Sequence, residues 1–162
     1  IEEKLQANGA GDYGYYEIKL GQSGQPLGSA KSTVSGKNQP DFQSVGSYDP
    51  QEGLVAFYDK GAIYTYDTES GDEVTYLKVN VSDYSAFNAN AIICTGNEEY
   101  PYGLLNIYKN RVDWFGYDGE LAGVTQLPDD TEVGDAFWFS YANKNIFLYN
   151  VDTRTWTGYK VF

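Results

Sequence analysis

Short apolar runs alternate with polar residues along most of the chain, and Gly, Asn, Asp and Ser clusters break them at intervals of about eight to twelve residues. Such runs appear at residues 15–20 (YYEIKL), 53–59 (GLVAFYD), 62–68 (AIYTYDT) and 73–81 (EVTYLKVNV). They continue at 103–109 (GLLNIYK), 111–117 (RVDWFGY), 121–127 (LAGVTQL), 135–142 (DAFWFSYA), 145–151 (NIFLYNV) and 155–162 (TWTGYKVF). Tyrosine and β-branched residues suit a pleated, half-buried surface, so the pattern predicts a mainly β protein with antiparallel strands joined as hairpins. The dipeptides KG at 60–61 and NK at 143–144 sit between facing runs and read as tight hairpin turns.

One segment departs from alternation. Residues 82–96 (SDYSAFNANAIICTG) carry apolar residues at 84, 87, 91 and 92, with Ser and Asp before them and glycine after. These are helix start, face and stop signals, and they predict one short α-helix at about 84–94 around which the twisted sheet packs. A central strand through NAIICT is the competing reading. Residues 21–50 are rich in Gly, Ser, Gln and Pro and are expected to be loop-rich. The strand–acidic turn–strand stretches at 62–79, 111–127 and 145–162 hint at a repeat, and a four-bladed propeller-like arrangement is the alternative to a single wrapped sheet.

A length of 162 residues fits a single domain, 1–162. The chain opens on Ile1 and has no methionine, from which a piece excised from a longer chain is expected. Eleven basic residues against 23 acidic ones give a net charge of −12, a field that repels phosphate backbones and anionic lipid. Nucleic acid is therefore not an expected partner, and no apolar run is long enough to suggest membrane insertion.

The absence of histidine removes Ser-His-Asp and Cys-His triads and histidine-bearing zinc sites. The single cysteine, Cys94, sits in an apolar setting and reads as a buried, inert thiol. No phosphate-cradling loop or calcium-loop spacing occurs, so no cofactor and no metal are expected. Carboxylate pairs remain, with Asp113 or Asp118 and Glu120 the set a glycosidase would use. Acids at β-turns are ordinarily there for turn geometry, and the chain is expected not to be an enzyme.

Aromatic side chains are the distinctive resource. In a strand through 111–117, Val112 and Trp114 share one face while Asp113, Phe115 and Tyr117 share the other. The valine marks Trp114 as the buried ring, and Tyr117, beside Asp113 and Asp118, is expected to be exposed. In DAFWFSYA, Phe137, Phe139 and Tyr141 form the greasier face, which puts Trp138 on the outside; Trp156 is ambiguous. Sugars offer an apolar C–H face for stacking and a hydroxyl edge for planar polar partners. Asn110, Arg111, Tyr117, Asp118, Trp138, Tyr141 and Asn143 supply such a set and are the candidate ligand-binding residues.

The stretch GLLNIYKNRVDWFGYDGELAGVT at 103–125 resembles a strand–turn–strand segment in the glycan-binding head domain of rotavirus outer-capsid spike proteins. The matching residues are Tyr108, Lys109, Arg111, Val112, Trp114 and Phe115. The resemblance implies a non-catalytic attachment domain on the virion surface, joined to the remainder of the spike protein and binding host carbohydrate. The family's galectin-like sandwich does not match this strand pattern, and no sugar contact transfers by position. The acidic charge favours a neutral Gal-GlcNAc-type glycan. The rival readings are a protein-interaction module of a secreted or surface protein, and a glycosidase.

Overall fold

A computed structural model describes residues 2–3, 14–17, 21–28, 31–32, 46–80, 87–131, 133 and 137–161, with residues 2–3, 14–17, 31–32, 88–91 and 137–138 described by backbone alone. The described residues form antiparallel strands and turns, with no helix among them. A small sheet joins β1 (Glu2–Glu3), β2 (Gly14–Glu17) and β3 (Lys31–Ser32). A four-stranded sheet follows from β4 (Ser47–Asp49), β5 (Leu54–Asp59), β6 (Ala62–Asp67) and β7 (Glu73–Lys78). The next comprises β8 (Phe87–Cys94), β9 (Tyr102–Asn106), β10 (Arg111–Phe115) and β11 (Leu121–Gln126). The last sheet is β12 (Phe137–Ala142), β13 (Asn145–Asn150) and β14 (Thr155–Lys160). In every sheet each strand pairs with its sequence neighbour, the outcome that short turns enforce.

Both tight turns form as their residues require. Asp59 pairs with Ala62 across Lys60 and Gly61, whose φ angles are 45° and 85°. Ala142 pairs with Asn145 across Asn143 and Lys144, at 49° and 63°. Two successive residues in the left-handed region give the turn twist that matches right-twisted strands. Of the loop-rich segment, residues 21–25 form a turn in which the Gly21 N–H donates to the Gln25 carbonyl at 2.8 Å. Residues 29–30 and 33–45 lie outside the described set.

The helix expected at about 84–94 gives way to strand over residues 87–94, and residues 84–86 lie outside the described set. β8 runs antiparallel to β9, with Ile92 opposite Leu104 and Cys94 opposite Tyr102, after a register shift between Phe87 and Ile92. The cause is burial on both faces. Ile92 and Cys94 belong to one core cluster and Ile93 to another, so the alternation that marks a half-exposed strand is erased.

The same hairpin turn recurs in three sheets. Asp67 Oδ1 accepts the N–H groups of Glu69 and Ser70, and Gly71 follows at φ 78°. Asn106 Oδ1 accepts those of Tyr108 and Lys109, and Asn110 follows at φ 46°. Asn150 Oδ1 accepts those of Asp152 and Thr153, with Arg154 at φ 56°. The shared turn joins β6 to β7, β9 to β10 and β13 to β14, while the stretch at 111–127 forms the β10–β11 hairpin. In this phasing β5, β8 and β12 are equivalent strands, and β8 packs against both β5 and β12.

The middle sheet is covered on both sides. Ala56, Tyr58 and Ile63 of the preceding sheet pack with Phe87, Ile92, Leu104 and Phe115. On the other side Ile93, Leu105, Val112 and Trp114 pack with Phe139, Ile146 and Leu148 of the last sheet. Cys94 is buried beneath the first of these layers, with its thiol donating to the Ser47 carbonyl at 3.5 Å. Burial, followed by the charge of Asp49, pushes its pKa up, with the Ser47 contact opposing. Because the shift is upward, native Cys94 stays a thiol even at mildly alkaline pH. A disulfide reagent such as Ellman's should leave the folded protein untouched and titrate one thiol per chain in denaturant. Rapid reaction of the native protein would contradict the buried placement.

Candidate functional site

The seven candidate residues divide between two sheets, four at or beside β10 and three on β12 and its turn. Asn110 closes the β9–β10 turn, and its carbonyl accepts the Leu127 N–H at 3.0 Å and Gln126 Nε2 at 3.1 Å. Arg111 is turned onto its own strand, with Nε 2.5 Å from Asp113 Oδ1 and Nη2 3.3 Å from Asp113 Oδ2. The Nε contact is an ion pair lacking hydrogen-bond geometry. Asn106 Nδ2 also donates to Asp113 Oδ2, at 3.0 Å, so Asp113 is held as a buried structural carboxylate. Asp118 Oδ1 accepts the Glu120 N–H at 3.0 Å, and Glu120 in turn accepts Asn80 Nδ2. Asn143 serves the β12–β13 turn. Tyr141 packs half-buried against the second core cluster. Position 138 stands opposite Tyr149 in the β12–β13 ladder, but its side chain lies outside the described set.

Tyr117 is half-buried rather than fully exposed. Its hydroxyl donates to Asp49 Oδ2 at 3.0 Å, and its ring meets Tyr102 edge-on at a centroid distance of 5.4 Å. Both rings line a cleft of about 340 Å³ between the β4–β7 and β8–β11 sheets. Leu54, Val74 and Leu77 form its apolar side, and Thr65, Thr75 and Glu52 supply oxygen atoms. Desolvation first, then Asp49, raises the Tyr117 pKa; desolvation first, then Cys94 and Asp49, raises that of Tyr102. Glu52 acts in the same direction on both, so these hydroxyls stay protonated.

The second aromatic feature is on the last sheet. Tyr149 pairs with Trp156 across the β13–β14 hairpin, and the same Tyr149 pairs with position 138. Ile146 and Leu148 alternate inward, which turns Phe147 and Tyr149 to the opposite face. There the Tyr149 and Trp156 rings lie 5.0 Å apart, tilted by 40°, with Trp156 57% exposed. Phe147 extends the surface over Gly158, where an added Cβ would stand 3.0 Å from its ring. β14 is an outer strand, and Thr155, Thr157 and Lys160 are exposed along it.

Sequence reasoning left Trp156 unassigned and did not select Tyr149. The available signal was their symmetric placement about the 151–154 turn, which makes them cross-strand partners. Nothing local in the sequence signals the cleft, whose lining comes from strands of two sheets. Comparison with protein-family models finds no match, and comparison with curated proteins finds none.

Proposed function

We propose that the chain is a non-catalytic attachment domain, carried on a virion surface, that binds neutral host glycans of the Gal-GlcNAc type through the Tyr149–Trp156 surface. The exposed, tilted ring pair is the observation that carries this reading. A pyranose can lay its C–H face on such rings, and Ser140 and Lys160 are exposed on the same face of the sheet for its hydroxyls. The net charge of −12 disfavours acidic sugars. The likeness of residues 103–125 to spike-protein heads supports the viral setting, with the remainder of the spike as the other partner. Successive meander sheets stacked through equivalent strands support a propeller-like arrangement of the fold.

A glycan array probed with multivalently displayed protein tests the reading, because weak single-site binding is amplified by avidity. Hits should share a neutral terminal motif. Trp156→Ala should reduce single-site affinity at least tenfold, about 1.4 kcal/mol, while the melting temperature stays unchanged because the side chain is largely exposed. Retained glycan binding in that folded variant would remove Trp156 from the site, and a clean negative array would sink the carbohydrate reading.

A further inference from the structure

The cleft between the β4–β7 and β8–β11 sheets is chemically distinct from the aromatic surface on the last sheet. The polar side chains lining it carry oxygen atoms, and among the described residues neither lysine nor arginine lines it. Thr65 is only 2% exposed, yet its Oγ1 has no hydrogen-bond partner, an arrangement that destabilises the fold unless something supplies one. Tyr117 spends its proton on Asp49, so its phenol oxygen presents only lone pairs to the cleft. Asp49 is fully buried and accepts the Gln51 N–H and the Tyr117 hydroxyl, with no cation paired to it among the described residues. Glu52 adds an exposed carboxylate at the rim.

We propose that this cleft binds an aliphatic primary ammonium group, its three N–H donors meeting Glu52, Thr65 Oγ1 and the Tyr117 phenol oxygen, with the attached methylenes against Leu54, Val74 and Leu77. An ammonium only donates, and Glu52, Thr65 Oγ1 and the Tyr117 phenol oxygen can each accept from it, with no lysine or arginine beside them among the described residues. The neighbouring tyrosine rings add cation–π attraction. Apolar walls favour an organic cation over a metal ion, and no group of three metal-ligating side chains occurs among the described residues. An anion would meet Glu52 with Asp49 behind it and is rejected. This site is independent of the carbohydrate reading.

The test is NMR titration of the whole protein with n-butylammonium, alongside n-butanol and butyrate as neutral and anionic isosteres. Saturable shifts confined to residues around Thr65, Tyr102 and Tyr117 are expected with the ammonium and not with the isosteres. Glu52→Gln, at an exposed position that leaves folding intact, should weaken ammonium binding at least tenfold. Thr65→Val should weaken it about threefold while raising the melting temperature, because a buried unpaired hydroxyl is removed. Trp156→Ala should leave the ammonium shifts unchanged. Equal response to butanol, absence of saturable shifts, or undiminished binding by folded Glu52→Gln would each overturn the proposal.

Discussion

Trp114→Ala should lower stability by about 4 kcal/mol, the largest effect expected from a single truncation among the described residues. The indole is 1% exposed, and its Nε1 donates to Thr125 Oγ1 at 2.8 Å. Its cross-strand partners are Gly103 on β9 and Gly123 on β11, so the ring occupies space that side chains on both neighbours would otherwise take. A Cβ at Gly103 would stand 2.5 Å from Trp114 Cζ3 and 2.8 Å from Ile93 Cγ1. Truncation leaves a void flanked by backbone that cannot close it, which puts the cost well inside the range for aromatic core deletions. At this chain length the melting temperature should fall by roughly 10 °C. Guanidinium unfolding gives the free energy directly, and a loss below about 1 kcal/mol would contradict the packing described. Gly103→Ala supplies the reciprocal test, since it should destabilise the protein by overpacking against the same ring.

Asp113→Ala is the second large effect, at about 3 kcal/mol. Asp113 has 4% side-chain exposure and holds Arg111, whose side chain is 23% exposed, together with Asn106 Nδ2. Removing the acid leaves a desolvated guanidinium without its counter-charge and orphans an amide donor; breaking a buried pair this way costs about 3–5 kcal/mol. The remaining solvent access of Arg111 places the expectation at the lower end. The double variant Arg111→Met with Asp113→Leu removes both charges and should recover most of the loss, because the pair's attraction chiefly offsets its own desolvation. Urea unfolding of the two single variants and the double variant forms the required cycle. If the double variant were as unstable as the sum of the singles, the two residues would not be coupled.

The same pair shows where the fold places Arg111, a candidate binding residue, and Asp113, a candidate carboxylate: each faces the other. A strand that reads Arg-Val-Asp-Trp-Phe looks half-wet, but Val112, Asp113, Trp114 and Phe115 are all buried. Asp113 is tolerated there because Arg111 two residues earlier supplies the counter-charge and Asn106 on the neighbouring strand donates to its Oδ2. Conversely, Tyr149 and Trp156 sit in runs that read as ordinary strands, and only the hairpin register brings their rings together.

By itself the sequence determined the local geometry: the antiparallel β class, the hairpins at Lys60–Gly61 and Asn143–Lys144, and the turn-forming acids and asparagines. Those features depend on backbone torsions and on hydrogen bonds between residues a few positions apart, so the residues that dictate them are adjacent in the chain. Only the tertiary structure decided that 87–94 is a strand, that both faces of β10 are covered, and that Thr65 and Tyr117 line one cleft. Burial is set by which distant sheet lies on which face, and a residue's own neighbours carry no record of that partner. Where a strand is covered on both sides, alternation disappears and the helical and extended readings of an apolar run become indistinguishable until the packing layers are known.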